Sequence, residues 1–141
     1  MVIYPINEIA ANLAREEGWS STVYQDSRGF WTVGYGRNVD PSGPGLTREE
    51  GELLLRNDIA RTIDELERAL DWFAGAPPTI VAALVELGFQ LGLPTLLRFK
   101  KTLMLLEAGL YQDAADELLR SRFADQVPAR ARRLAERIRR A

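Results

Sequence analysis

Glu17 is the carboxylate whose place in the sequence best suits acid–base chemistry. The apolar residues Ile6, Ala10 and Leu13 recur at helical spacing, and Glu17 falls on the same face of the predicted helix. Burial on an apolar face would raise the pKa of such a carboxyl, as a general acid near neutral pH requires. The alternative is that Glu17 lies at the fraying end of the helix and turns into solvent.

The absence of histidine and cysteine narrows the chemistry further. Without these residues the usual zinc ligands, the Cys-His and Ser-His-Asp nucleophilic systems and histidine proton transfer are all excluded. The 20 Asp and Glu residues are then the main candidates for proton exchange in a catalytic cycle. We therefore expect any enzymatic activity to depend on Asp and Glu, with no metal and no cofactor.

Asp26 and Thr32 lie in a segment rich in aromatic and β-branched residues, which predicts a small β-hairpin over 22–36. Asp26 begins the turn-like run Asp-Ser-Arg-Gly, so a purely local turn role also accounts for it. Thr32 falls in the predicted second strand, where threonine is common. Local sequence alone assigns neither residue a function.

Taken together, these positions resemble the catalytic segment of the phage lysozyme family, glycoside hydrolase family 24. The likeness begins in Glu17-Gly18, Tyr24-Gln25-Asp26 and Gly29-Phe30-Trp31-Thr32-Val33-Gly34-Tyr35-Gly36. It continues in Gly88-Phe89-Gln90-Leu91-Gly92, Arg98-Phe99, Ser121-Arg122-Phe123, Gln126, Pro128, Arg130 and Arg133. The ordered set covers nearly the whole chain, which makes it far more specific than any one motif.

The resemblance implies a muramidase that cleaves the β-1,4 bond between N-acetylmuramic acid and N-acetylglucosamine in bacterial peptidoglycan. Glu17 would be the general acid. Asp26 and Thr32 would lie on the other side of the sugar, where they help to orient water and stabilise positive charge. The expected mechanism is inverting. A non-catalytic glycan-binding or virion-structural protein with the same fold is the alternative.

Other roles also follow from the resemblance. Phe89 and Gln90 would contact saccharide, although a buried position on a core helix explains them equally well. Arg130 would lie near Glu17 and oppose desolvation, because a nearby cation lowers the pKa of a carboxyl. Arg37 stands where the family usually has a histidine with a structural ion-pair role, so this change bears on local stability more than on catalysis.

The predicted fold is α+β and mainly α, with a small N-terminal β-hairpin or sheet lobe and a helical C-terminal lobe joined by a long helix. The capping-box run Thr47-Arg48-Glu49-Glu50 predicts the start of that helix. After Pro77-Pro78, the segment 79–91 is apolar almost all round and is the predicted core helix. Shorter helices are predicted at about 95–108, 111–121 and 128–140.

The resemblance makes residues 1–141 a single lysozyme-like domain. Its N-terminal lobe would comprise about 15–60, and its C-terminal helical lobe about 61–141 together with the first helix, 5–17. The sequence contains no pattern typical of a signal peptide or a transmembrane segment. As a phage endolysin, the chain would stay in the host cytoplasm until it is released to the cell wall or periplasm.

The charge is unevenly distributed along the chain. The net charge is −2, yet residues 129–141 contain six Arg and one Glu. This basic tail suggests a secondary hypothesis, binding to anionic membrane or outer-membrane lipid, with a solvated helix face as the alternative. The net negative charge argues against a nucleic-acid partner. The expected partner is peptidoglycan, and the expected state is a monomer.

Overall fold

The computed structural model describes residues 2–141, which form two compact units, one ending at Glu52 and one beginning at Leu53. The first unit contains helix α1 and a three-stranded antiparallel sheet with strand order β1-β2-β3. Its elements are α1 (Ile6–Glu17), β1 (Ser20–Gln25), β2 (Trp31–Gly34) and β3 (Arg37–Asn38).

The second unit is helical. The boundary falls within the long helix α2 (Arg48–Ala69), and a short 3-10 helix follows at Phe73–Gly75. The remaining helices are α3 (Pro78–Leu91), α4 (Leu93–Leu96), α5 (Lys100–Glu107), α6 (Tyr111–Leu119), α7 (Arg122–Gln126) and α8 (Pro128–Arg139). The predicted fold class, α+β and mainly α with a small N-terminal sheet, is confirmed.

The β1–β2 hairpin forms where aromatic and β-branched residues predicted it. Tyr24 pairs with Thr32, and the backbone N–H of Gly29 donates to the carbonyl of Asp26 at 2.9 Å to close the turn. Gly29 has φ +83°, a conformation that a side chain would strain. The third strand was not predicted, because the composition of 38–46 is that of a loop.

A capping box starts α2, as the sequence predicted. The N–H of Glu50 donates to Thr47 Oγ1 at 3.1 Å, and Glu50 Oε1 accepts from the N–H of Thr47 at 2.9 Å. The two side chains thus satisfy backbone groups that a helix terminus leaves without partners.

The apolar core lies in the second unit, with α3 at its centre. Helix α3 buries most of its aliphatic residues, as the continuous apolar sequence of 79–91 predicted. The largest fully buried side chains are Leu66, Phe73, Ile80, Leu84, Leu87, Leu96, Leu118 and Ile138. This packing positions α3 and α8, which carry the candidate residues of the unit.

The helices after α3 depart from prediction in two places. The expected helix over 95–108 is two helices, α4 and α5, because Phe99 leaves the helical conformation with ψ 52° and packs against the core. The short helix α7 was not predicted. Its first turn is capped by Ser121, whose side chain accepts from the N–H of Ala124.

Candidate active site

Glu17 lies at the end of α1, with its carboxyl against the backbone of Gly36. A Cβ atom built on Gly36 would lie 2.8 Å from Glu17 Oε2, and Gly36 has φ +81°. The glycine therefore meets two needs, a left-handed backbone and a close approach to the carboxyl. Any other residue at position 36 would force the Glu17 side chain to move.

The burial predicted for Glu17 is wrong. The Glu17 side chain is exposed, α1 contains no buried residue, and Ile6 and Leu13 on the predicted apolar stripe are 65% and 53% exposed. Amphipathic spacing predicted the helix correctly, but burial also requires an apposed surface, which the pattern of one segment does not specify. Burial therefore does not support Glu17 as the general acid. The support has to come from the position of Glu17 among the residues around it.

Glu17 lines an open depression of about 320 Å³ together with Gly18, Trp19, Ser20 and Tyr24. The ring of Trp19 packs beside Tyr35, with centroids 5.0 Å apart and planes inclined by 53°. Trp19 and Tyr35 were not predicted as site residues. Exposed aromatic residues close in sequence to the candidate acid are the signal that could have identified them.

Asp26 is held by the hairpin turn. Its Oδ1 accepts hydrogen bonds from the backbone N–H groups of Arg28 and Phe30, both at 2.9 Å. The local turn role that the sequence offered as an alternative is thus present. Asp26 Oδ2 takes part in neither bond and remains available to a ligand.

Thr32 is buried in the sheet, at 4% exposure. Its hydroxyl donates to the carbonyl of Phe30 at 3.0 Å, which leaves the oxygen lone pairs as acceptors. The strand register puts Thr32 opposite Tyr24. Tyr24 lies two residues before Asp26 and also lines the depression at Glu17. Along the chain, β1 thus lies between Glu17 and Asp26 and pairs with the strand that contains Thr32, and a shared role of the three residues stays a prediction.

Arg37 forms an ion pair in place of a histidine. Its Nη1 lies 2.7 Å from Glu50 Oε2 and also donates to the carbonyl of Gly45 at 3.0 Å, which connects β3, the following loop and the start of α2. The hydrogen bond from Arg37, together with that from the N–H of Thr47, lowers the pKa of Glu50 to about 2. The position keeps a structural ion pair without a titrating histidine.

Phe89 and Gln90 lie near the end of α3 and are both exposed, Phe89 at 47%. The alternative that they are buried core residues is therefore wrong. Their role in contacting saccharide stays a prediction, but both side chains are open to a ligand.

Arg130 lies on α8 beside Glu86. Glu86 also forms a bidentate ion pair with Arg137, whose Nη1 and Nη2 donate to Oε1 and Oε2 at 3.0 Å and 2.5 Å. The hydrogen bond from Arg137 lowers the pKa of Glu86, against the opposing effect of partial burial, and the charge of Arg130 lowers it further. The predicted approach of Arg130 to Glu17 and the predicted packing of α1 with the C-terminal lobe stay predictions.

Three of the six tail arginines form ion pairs within the chain, Arg137 with Glu86, Arg139 with Asp116 and Arg140 with Glu136. These contacts agree with the alternative of a solvated helix face. Nothing in the structure supports lipid binding through the tail. That hypothesis stays a prediction.

Within residues 2–141, no group of three or more His, Cys, Asp and Glu side chains is placed to hold a metal ion. Over the same residues, none of the helices combines the length and apolar character that crossing a bilayer requires.

The sequence profile of the phage lysozyme family matches residues 14–139, and the chain belongs to this family. Membership supports a muramidase, or lysozyme, function and places the chain among the glycoside hydrolases, in a family that acts on peptidoglycan.

Individual relatives are distant. The alignment with "Probable T4-type lysozyme 1" of Dictyostelium discoideum is 156 residues long, shows 24% identity and covers 92% of each chain. The alignment with "Probable T4-type lysozyme 2" of the same organism gives the same values. The "Endolysin" of Bacillus phage B103 is 28% identical over 120 residues, which cover 82% of this chain and 44% of the endolysin.

Proposed function

We propose that this chain hydrolyses the β-1,4 bond between N-acetylmuramic acid and N-acetylglucosamine in bacterial peptidoglycan, with Glu17 as the general acid, and so lyses the cell wall. One observation carries the proposal. In a chain of the phage lysozyme family, Glu17 is exposed and lines an open depression with Trp19 and Tyr24.

The depression suits a glycosidic substrate. Binding sites for organic ligands combine aromatic side chains with a few well-placed polar groups, and Trp19, Tyr24 and Glu17 supply this combination. A glycosidic oxygen leaves readily only when it is protonated, so an accessible carboxylic acid at this place would supply the proton. The Glu17 carboxyl lies close to Gly36, where an added Cβ would displace it.

Asp26 and Thr32 would hold the attacking water. Asp26 Oδ2 accepts neither hydrogen bond of the turn, and the Thr32 hydroxyl donates a hydrogen bond to the carbonyl of Phe30, which leaves its lone pairs as acceptors. Each oxygen can therefore accept one hydrogen of a water molecule, which would orient the water for attack. The negative charge of Asp26 would also stabilise the oxocarbenium-like transition state. Attack by water makes the proposed mechanism inverting.

Phe89 and Gln90 would bind saccharide through their exposed side chains, and Arg130 would assist as a cation. We propose that the chain acts as a monomer on peptidoglycan. As an endolysin, it would remain in the host cytoplasm until it gains access to the wall. The competing assignment is a non-catalytic glycan-binding or virion-structural protein with a lysozyme fold.

Replacing Glu17 by Gln tests the enzyme against the binding protein. We expect Glu17→Gln to lower the rate of clearing of a peptidoglycan suspension by at least about 100-fold, because loss of general acid catalysis costs this much. Glu16→Gln is the matched control, since Glu16 is the neighbouring exposed carboxylate on α1, and it should keep most of the activity. Equal activity of Glu17→Gln and the unsubstituted chain would eliminate Glu17 as the acid.

The anomer released first tests the role of water. Single displacement by a water molecule held at Asp26 and Thr32 gives the inverted anomer, which proton NMR detects before mutarotation. Initial release of the retained anomer would instead indicate a covalent intermediate, and the water-orienting role would be lost.

A further inference from the structure

The second unit contains a cation-rich cavity of about 290 Å³ that no role so far described uses. It forms around the beginning of α5 and the end of α6. Five cationic side chains and one acidic side chain line it, namely Arg98, Lys100, Lys101, Arg120, Arg122 and Glu117. The cationic residues come from two separate segments, so the sequence shows no single basic run at this place.

The cationic charge of the cavity exceeds what the chain neutralises. Glu117 lies 3.4 Å from Lys101 and 3.2 Å from Arg120, and it compensates one positive charge. In the part of the chain that the structure describes, the remaining three cations, Arg98, Lys100 and Arg122, form no ion pair. Concentrated positive charge in a concave surface attracts anions from solution.

Helix α5 begins at the cavity in a way that adds to this positive charge. Phe99 precedes the helix and provides no side-chain cap, and the first turn contains no acidic residue. Helix N-termini favour negative charge, yet this one begins with Lys100 and Lys101. The backbone N–H groups of the first turn point along the helix axis without helical acceptors, so they can donate to an anion.

Thr102 independently indicates a ligand. It lines the cavity and is only 4% exposed, yet its hydroxyl forms no hydrogen bond to any other group within residues 2–141. Every fully enclosed side-chain N or O atom over these residues has a partner, so the Thr102 oxygen is not fully enclosed, and the cavity is the space that this residue lines. A nearly buried hydroxyl without a protein partner is suited to a polar ligand.

We propose that this cavity binds a phosphate group of an anionic, phosphodiester-linked polymer of the bacterial cell wall. Phosphate fits the donors present: planar guanidinium groups at Arg98 and Arg122, an ammonium at Lys100, the free N–H groups of α5 and the Thr102 hydroxyl. A neutral saccharide would leave the excess positive charge uncompensated. The choice of a wall polymer as the source rests on the proposed muramidase function, whereas the phosphate chemistry does not.

NMR titration of the full chain with inorganic phosphate and with poly(glycerol phosphate) tests the site. We expect amide shifts concentrated at 98–102 and 120–122. The triple variant R98Q/K100Q/R122Q should bind at least about tenfold more weakly, because each substitution removes a charge-assisted hydrogen bond. The control variant R48Q/R56Q/R132Q removes three exposed cations elsewhere and should bind within about twofold of the unsubstituted chain.

Thr102→Val separates specific recognition from general attraction. It removes the hydroxyl, keeps every cation and conserves side-chain volume, and it should weaken phosphate binding about tenfold. Equal losses in the two triple variants, or phosphate shifts spread over the surface, would overturn the site. Tighter binding of phosphatidylglycerol vesicles or of a single-stranded oligonucleotide than of poly(glycerol phosphate) would overturn the wall polymer as its source.

Clearing of phosphate-free peptidoglycan by the unsubstituted chain separates this proposal from the muramidase proposal. Clearing without phosphate binding refutes the phosphate site alone. Phosphate binding at 98–102 without clearing supports the site and refutes the muramidase function.

Discussion

The two units of the chain are stabilised by different kinds of interaction. The apolar core lies entirely in the second unit, from Leu66 to Ile138, whereas in the described part of the first unit Thr32 alone is buried. The first unit is organised by the sheet, the Asp26 turn, the capping box of α2 and the Arg37–Glu50 ion pair. The proposed catalytic residues therefore lie in the unit that depends on directional polar contacts.

The atomic positions at the candidate site and the stability of the fold therefore depend on different interactions. An apolar side chain in a packed core contributes a large free energy with little directional demand. A hydrogen bond or an exposed ion pair contributes about 1 kcal/mol or less, but it fixes the positions of particular atoms. Polar contacts of the first unit position Asp26 and Thr32, and the apolar core of the second unit supplies most of the free energy of unfolding.

The largest effect should come from a cavity in the second unit. Leu84 is fully buried on α3, so Leu84→Ala should lower the free energy of unfolding by about 2–5 kcal/mol. Leu53→Ala is the control, because Leu53 is 60% exposed and its loss should cost less than about 0.5 kcal/mol. Urea denaturation measures both. A loss below about 1 kcal/mol at Leu84 would contradict a core centred on α3.

A smaller effect on stability, with a larger one on activity, is expected at Gly36. Gly36→Ala strains a backbone at φ +81° and drives a methyl group into the Glu17 carboxyl, so it should cost about 1–2 kcal/mol and most of the wall-clearing activity. Gly109→Ala is closely matched, with φ +75° but no atom within 4 Å of the added Cβ, and Gly109 belongs to neither proposed site. It should cost similar stability and keep the activity. Equal loss of activity in both variants would refute a positioning role for Gly36.

The smallest effect concerns the Arg37–Glu50 pair. The pKa of Glu50 falls from 4.5 to about 2 on folding, so the pair stabilises the chain above about pH 4.5, and this contribution is lost as the pH falls through about 2. Glu50→Gln should be less stable than the unsubstituted chain at pH 7, and the difference should close over that window. The same measurement on Glu52→Gln, an exposed neighbour, should show no such closing. A difference that is constant with pH would contradict the ion pair.

Local signals predicted the parts of the fold that local physics determines. The Asp26 turn, the capping box at Thr47 and the continuous apolar run of α3 each depend on residues close in sequence, and all three are present. The predicted burial of Glu17 was wrong, because burial depends on a surface that another segment of the chain has to provide. The same reasoning explains why the structure was needed to detect the contact of Trp19 with Tyr35.

The cation-rich cavity illustrates a second limit of sequence reasoning. A basic run is visible at 129–141, but half of its arginines form ion pairs within the chain. The cations around Thr102 are divided between 98–101 and 120–122, and they come together through the packing of α5 with α6. Charge counted along the sequence therefore pointed to the tail, and it did not show the unpaired cations that the packing of α5 with α6 gathers around Thr102.

The Arg37–Glu50 pair has a consequence for how acidity acts on this molecule. With arginine in place of histidine, and with no cysteine, no side chain has an ordinary pKa between those of carboxyl groups and that of tyrosine. Apart from the α-amino group, nothing with an ordinary pKa buffers the chain from about pH 6 to 9. A limb of the kcat–pH profile in that interval would therefore report a carboxyl group whose pKa is raised in the complex with substrate. No other side chain with an ordinary pKa would contribute to such a limb, so it can be assigned to the catalytic acid.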